Sequence, residues 1–133
     1  MLKLEHLGFA VSNLEEANEL YTRLLGSGPY KHESVPAEKV TTSFFKVGQV
    51  KLELLEATTE DSAIAGFIQK RGEGLHHVAF EVQDIFQESA RLRKQGFEIL
   101  YPEPRQGADN KLVNFVHPKS AGGVLIELCQ EIQ

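Results

Sequence analysis

The chain has 133 residues and a formal net charge of −5, with 14 Lys and Arg against 19 Asp and Glu. This acidic balance argues against a nucleic-acid partner, because nucleic-acid binding needs a basic face. Cys129 is the only cysteine, which excludes an internal disulfide and any multi-cysteine metal cluster.

The sequence has no apolar run long enough for a membrane span and no secretory signal pattern. We therefore expect no membrane partner and a cytoplasmic location. The length is sufficient for one domain with a buried core, so residues 1–133 are predicted to form a single domain.

The first predicted elements are a strand and a helix. Residues 3–11 alternate between apolar residues and small or polar ones, which predicts a strand with one buried face and with His6 on the other face. A helix should follow, because Asn13 is a preferred N-cap type and Gly26 a preferred terminating residue around an apolar stripe of helical spacing. A short strand, a loop with Pro36 and a hairpin come next.

The hairpin ends in a strand that carries Glu53 between Leu52 and Leu54. The leucines are expected to face the helix, which leaves Glu53 on the same inner face as His6. The first module therefore has the order βαβββ and covers about residues 1–58. A short helix within about residues 60–72 should link it to the rest of the chain.

The remaining residues, about 74–133, repeat this plan. His6 and His77 are separated by 77 − 6 = 71 residues, and Glu53 and Glu127 by 127 − 53 = 74. The difference of three residues falls in the last turn. An offset that changes only in a turn indicates duplication of one supersecondary unit.

We predict an α+β fold in which two tandem βαβββ modules form a curved mixed sheet around a metal-binding cleft. A lone histidine in a strand is usually structural, and a lone glutamate in a strand is usually solvated. Two of each at equivalent places, His6, Glu53, His77 and Glu127, are better explained by one divalent ion. Imidazole with carboxylate suits Co, Zn, Mn, Ni or Fe, and the sequence does not choose among them.

Three further residues carry weaker signals. His76 is expected to point into the core as a structural residue. His117 precedes Pro118 and either shapes the turn or contacts a ligand. Cys129 is expected to be a small inner-wall or core residue, because no feature marks its thiol as activated.

The chain resembles the vicinal-oxygen-chelate superfamily of paired βαβββ modules around a divalent metal, and within it the methylmalonyl-CoA epimerase family. The match spans nearly the whole chain. The segments that carry it are HLGFAV from His6, KLELL from Lys51, GEGLHHVAFEV from Gly72 and HPKSAGGVLIEL from His117. The doubled histidine and the His-Pro-Lys-Ser turn are the more specific of these features.

The resemblance implies that the metal ligands are His6, Glu53, His77 and Glu127. It also implies an isomerase that epimerises methylmalonyl-CoA at C2, removing a proton through a metal-stabilised enolate and returning it on the other face. We expect Glu127 to be the catalytic acid–base group, with Glu53 as its symmetric partner. Some members have a catalytic Glu at the position of Thr42, and threonine cannot act as a base at neutral pH.

An acyl-CoA thioester substrate needs cations or backbone amides for its phosphates. Lys119 and Ser120, in the glycine-rich turn before the last strand, and Arg105 are the candidate substrate-binding residues. Solvated surface residues are an equally good interpretation of each. We expect a homodimer, because paired modules expose sheet edges that are usually covered.

Three alternatives share this fold. A glyoxalase I type lactoylglutathione lyase uses the same ligands and similar proton transfer. An extradiol dioxygenase would use two histidines and one glutamate on iron, with no reason to keep Glu53. A non-catalytic ligand-binding or resistance protein could discard the ligands, and all four are present here.

Overall fold

The computed structural model describes all 133 residues. The chain forms two compact units, which we name the N-terminal unit (His6–His76) and the C-terminal unit (Met1–Glu5 with His77–Gln133). Eight strands and three helices follow one another in the order β1 Lys3–Ala10, α1 Leu14–Leu25, β2 Lys31–Val35, β3 Val40–Val47, β4 Val50–Ala57, α2 Ala63–Arg71, β5 Gly74–Glu81, α3 Ile85–Lys94, β6 Arg105–Gly107, β7 Lys111–Val116 and β8 Ile126–Glu131.

The N-terminal unit is a four-stranded sheet with one face covered by α1. Its strand order is β2-β3-β4-β1, with β1 and β4 parallel and the other pairs antiparallel. The Asn13 side chain caps α1 by accepting a hydrogen bond from Glu16 N, and Gly26 ends the helix with a positive φ of 85°. The core between helix and sheet comprises Val11, Leu14, Ala17, Phe45 and Leu54.

The C-terminal unit repeats this architecture. Its strand order is β5-β8-β7-β6, with β5 and β8 parallel and the other pairs antiparallel. Asp84 caps α3 by accepting from two backbone N–H groups. The core beneath α3 comprises Val82, Ile85, Leu92, Val116 and Leu128. The predicted α+β class with two βαβββ modules is therefore confirmed.

One element of the second module lies later than predicted. The repeated plan predicts a short strand between α3 and the loop that contains Pro102 and Pro104, but that stretch forms only an isolated bridge between Ile99 and Val116. The three-residue strand β6 comes after Pro104 instead. Pro102 and Pro104 have no N–H to donate to a ladder, so regular pairing resumes only beyond them.

The linking helix α2 packs against β4 and begins at a Ser62 cap that accepts a hydrogen bond from Ala65 N. No helix in the structure combines the length and the apolar character that a membrane crossing requires.

Candidate metal centre and active site

In the N-terminal unit, one histidine and one glutamate lie side by side on the sheet face away from α1. The parallel pairing of β1 with β4 places Gly8 opposite Glu53, so no side chain on β1 stands between Glu53 and His6. The His6 Nε2 atom is 3.3 Å from Glu53 Oε1, and both residues are buried. The register that buries Leu54 beneath α1 is what turns this pair to the opposite face.

The C-terminal unit contains an equivalent pair. Ala79 lies opposite Glu127 in the parallel pairing of β5 with β8. The His77 Nε2 atom is 3.2 Å from Glu127 Oε1, and both residues are again buried. The His77 ring also packs edge-on against Phe115, with 6.4 Å between ring centroids.

Each pair offers a neutral-imidazole nitrogen and a carboxylate oxygen, which are ordinary ligands for a divalent transition metal. A carboxylate this deeply buried is costly unless it is paired or coordinated. A histidine that stays within hydrogen-bonding range of each carboxylate meets that requirement and fits a metal-binding role. We call the two pairs, His6 with Glu53 and His77 with Glu127, the half-sites. They contain the four metal ligands predicted from the sequence, and that role stays a prediction.

An aromatic pair with a cation above it flanks each half-site. In the N-terminal unit the rings of Tyr30 and Phe44 are 6.3 Å apart, and Phe44 lies opposite Glu53 in the β3–β4 register. Lys31 Nζ lies 5.6 Å from the Phe44 ring centroid and Lys46 Nζ 5.9 Å from that of Tyr30. These contacts are within the range of cation–π attraction.

The C-terminal unit has the same arrangement with an arginine. The rings of Tyr101 and Phe115 are 5.8 Å apart and nearly perpendicular, and Phe115 lies opposite Glu127. The Arg105 guanidinium carbon is 3.8 Å from the Tyr101 ring centroid. Arg105 is thus exposed but held in place on the face that carries Glu127.

A buried asparagine fixes the position of Tyr101. Asn114 accepts a hydrogen bond from the Tyr101 N–H at 3.0 Å, donates one to the Tyr101 carbonyl at 3.1 Å, and also accepts from Phe115 N at 2.8 Å. Its side chain has no exposed surface. Asn114 was not predicted from the sequence, where its only signal is an amide among apolar residues of a predicted strand.

The turn before β8 is closed by its own side chains. The His117 ring accepts a hydrogen bond from Lys119 N at 3.0 Å and so shapes the turn. Ser120 Oγ accepts from Glu98 N and donates to the His117 carbonyl, both at 3.1 Å. Lys119 is exposed. The substrate contacts predicted for Lys119, Ser120 and Arg105 stay predictions.

Cys129 is a core residue of the C-terminal unit. Cys129 is buried with Ala79 and Val113, and burial, followed by the negative charges of nearby carboxylates, raises the pKa of its thiol well above the usual range. The thiol is therefore protonated at neutral pH.

His76 is only half-buried, and its ring lies edge-on to Phe67 of α2 with 4.9 Å between ring centroids. It therefore does not reach the core, contrary to the prediction from the sequence.

Thr42 lies on the same face as Glu53 and is fully buried. Its register partners are Leu55 on β4 and Glu33 on β2. The Thr42 hydroxyl donates to the Glu33 carbonyl over a long distance of 3.4 Å. A hydroxyl of this kind holds neighbouring strands together but supplies no base at neutral pH.

Comparison with known proteins places this architecture in a family. A family model described as the Glyoxalase/Bleomycin resistance protein/Dioxygenase superfamily matches residues 5–115. The mitochondrial methylmalonyl-CoA epimerase of Homo sapiens is 40% identical over 129 residues, which are 96% of this chain and 73% of the relative. The ethylmalonyl-CoA/methylmalonyl-CoA epimerase of Cereibacter sphaeroides is 39% identical over 130 residues, covering 96% of this chain and 97% of the relative.

A solved structure indicates the same family as these relatives. A variant of the Streptomyces coelicolor methylmalonyl-CoA epimerase, in complex with 2-nitronate-propionyl-CoA, superposes with a TM-score of 0.95 and 34% sequence identity. The superposition covers 100% of this chain and 99% of that one. With the family model matching most of its length, the chain belongs to the Glyoxalase/Bleomycin resistance protein/Dioxygenase superfamily.

Proposed function

We propose that this chain is an isomerase that epimerises methylmalonyl-CoA at C2. The observation that carries the proposal is the buried histidine–glutamate pair that each unit presents on its helix-free face. Relatives that match nearly the whole chain are epimerases of methylmalonyl-CoA and ethylmalonyl-CoA. A similar structure binds 2-nitronate-propionyl-CoA, an acyl-CoA derivative.

Epimerases of this superfamily use a divalent metal ion. The residues that would hold it are His6, Glu53, His77 and Glu127, whose donor atoms are of the right chemical type. When bound, such an ion is a Lewis acid that stabilises negative charge on oxygen atoms of the substrate. Elemental analysis of the purified protein would decide among Co, Zn, Mn, Ni and Fe.

Two carboxylates of the chain accept and donate the C2 proton. Epimerisation breaks the C2–H bond on one face and forms a new one on the other, so proton-transfer groups are needed on both faces. Glu127 is the first of these groups, since a carboxylate with His77 beside it is held in one orientation. Glu53, beside His6, is its counterpart by the internal symmetry of the chain.

Exposed cations account for binding of the CoA phosphates. Arg105 lies over the Tyr101 ring on the face that carries Glu127, and an arginine positioned by such a contact loses less entropy when it binds a phosphate. Lys119 contributes a second cation from the turn before β8. Ser120 contributes to substrate binding by holding that same turn in place, because its hydroxyl accepts a hydrogen bond from Glu98 N.

The deciding experiment is deuterium uptake at C2 of methylmalonyl-CoA in D2O, measured by mass spectrometry with metal-loaded protein and with a chelator-treated control. Fast uptake that requires metal and is lost in Glu127→Ala is the expected result. No uptake by fully metallated protein would refute the proposal, and isomerisation of the glutathione thiohemiacetal would then test the lactoylglutathione lyase alternative.

The expected homodimer and cytoplasmic location remain part of the proposal. Sedimentation velocity should give the mass of two chains, and a single-chain mass would contradict it.

A further inference from the structure

Two carboxylates of the N-terminal unit, and not one, point to the face that carries His6. In the register of the sheet, Glu33 on β2 lies opposite Thr42 on β3, and Thr42 lies opposite Leu55 on β4. Leu55 follows Glu53 by two residues. Residues two apart in a strand share a face, so the side chains of Glu33 and Glu53 lie on the same side of the sheet.

The position of Glu33 has a counterpart in the C-terminal unit. There Arg105 on β6 lies opposite Val113, and Val113 lies opposite Cys129, two residues after Glu127. Arg105 therefore occupies the place that Glu33 occupies in the N-terminal unit. The edge strand of each sheet thus directs one long charged side chain over the face that carries the histidine–glutamate pair, a cation in one unit and a carboxylate in the other.

The side chain between Glu33 and β4 is small. Residues opposite each other on paired strands have Cβ atoms about 4.5–5.5 Å apart, and a glutamate side chain is long enough to extend past threonine toward the next strand. In the neighbouring row the same path is occupied by the Phe44 ring, over which Lys31 lies. The Glu33 carboxylate is held by Lys31, with 3.4 Å between Nζ and Oε1.

Glu33 and Glu53 differ in their access to water. The Glu53 side chain is 5% exposed and lies against His6, whereas the Glu33 side chain is 28% exposed. Each net turnover in one direction leaves the proton acceptor protonated and the proton donor deprotonated. Both groups must exchange a proton with solvent before the next turnover, and a partly exposed carboxylate does this readily.

We infer that Glu33 is the catalytic residue that carries the proton on the face of C2 opposite Glu127. The inference rests on the proposed function and moves one role within it, leaving Glu53 to hold the ion with His6. Lys31 is a positioning residue for the Glu33 carboxylate.

One epimer loses its C2 proton to Glu127 and receives a new one from Glu33. Glu127 takes the C2 proton, the C–H bonding pair delocalises into the thioester, and the carboxylic acid of Glu33 then gives its proton to C2 on the opposite face. Glu127 is left as the acid and Glu33 as the carboxylate, and water restores both. The other epimer reacts with the two roles exchanged.

The test uses the metal-loaded, full-length protein and the two pure C2 epimers of methylmalonyl-CoA, each in D2O, with loss of the original C2 proton followed by mass spectrometry. In Glu33→Gln, proton loss from one epimer should slow by about a hundredfold or more. Proton loss from the other epimer should continue, because Glu127 removes that proton and returns deuterium to the same face. Glu127→Gln changes a predicted metal ligand as well as a base, so it should lower metal content and slow both epimers, and the epimer that Glu33→Gln spares should slow more.

Two further variants serve as comparisons. Glu53→Gln should lower metal content and slow both epimers alike, and Glu60→Gln, in an exposed turn, controls for the loss of one surface charge. Equal rates for both epimers in Glu33→Gln would overturn the inference, whether fast or slow, as would epimer selectivity in Glu53→Gln instead. Absence of exchange in the unmodified protein would refute the proposed function itself, which is a distinct outcome.

Discussion

Replacing His77 by alanine should abolish the rise in melting temperature that a divalent ion gives this protein. The imidazole is buried, with Nε2 3.2 Å from Glu127, and its ring packs on Phe115. Alanine removes the nitrogen donor from a place that water reaches poorly. The remaining carboxylate loses the neighbour that orients it.

The size of the lost effect follows from binding linkage and chain length. An ion at a hundred times its dissociation constant stabilises the native state by about 2.7 kcal/mol. An unfolding entropy of about 2.1 cal/mol/K per residue, applied to 133 residues, converts each kcal/mol into about 3.6 °C. The unmodified protein should therefore melt about 10 °C higher with saturating metal than with chelator.

The neighbouring histidine offers a matched control. His76 is half-buried and contacts Phe67 edge-on at 4.9 Å, away from the pair that includes His77. His76→Ala should lose an aromatic contact worth about 0.5–1.5 kcal/mol and still show the full metal-dependent shift. Differential scanning fluorimetry with and without chelator measures both variants. A full shift in His77→Ala, or none in His76→Ala, would refute the assignment of the ligand.

Three other predictions concern stability and substrate binding. Asn114→Ala should lower the free energy of unfolding, measured in urea, by about 2–4 kcal/mol. The substitution removes three hydrogen bonds at a fully buried site and leaves the Tyr101 backbone groups without their partner. A loss below about 1 kcal/mol would contradict this. The pKa of the Cys129 thiol is raised above its ordinary 9.0 by burial, so above about pH 9 the unfolded chain releases this proton first and the free energy of unfolding should fall with pH. Cys129→Ala should flatten that fall, and identical pH profiles for the two proteins would show the reasoning to be wrong. Arg105→Ala should raise KM for methylmalonyl-CoA and weaken its dependence on salt while leaving kcat nearly unchanged, whereas a fall in kcat alone would argue against phosphate binding.

Local signals in the sequence were sufficient to predict most of the fold. Asn13 and Asp84 were recognisable as helix caps because short polar side chains there satisfy free N–H groups of the first turn. The alternation around His6 and Glu53 was enough to place both on one face, since strand side chains alternate strictly. The offset between the modules then supplied the equivalent pair, His77 and Glu127.

Features that depend on pairing between distant segments could not be predicted in this way. Asn114 binds the backbone of Tyr101, thirteen residues earlier, and a backbone partner leaves no trace in residue type. The place of Glu33 depends on the register between β2 and β3, which a five-residue edge strand does not specify by composition. Strand β6 was displaced because the prolines before it cannot join a ladder.

The parallel strands that carry each histidine–glutamate pair are the first and the last strands of their module. Glu53 follows His6 by 53 − 6 = 47 residues, and Glu127 follows His77 by 127 − 77 = 50. Each pair thus closes a long loop and forms only when the terminal hairpin has docked beside the opening strand, which is a slow, late kind of contact in folding. An ion held by these pairs should consequently stabilise only chains whose modules are complete, and metal retention would then measure how far a nascent or refolding chain has progressed.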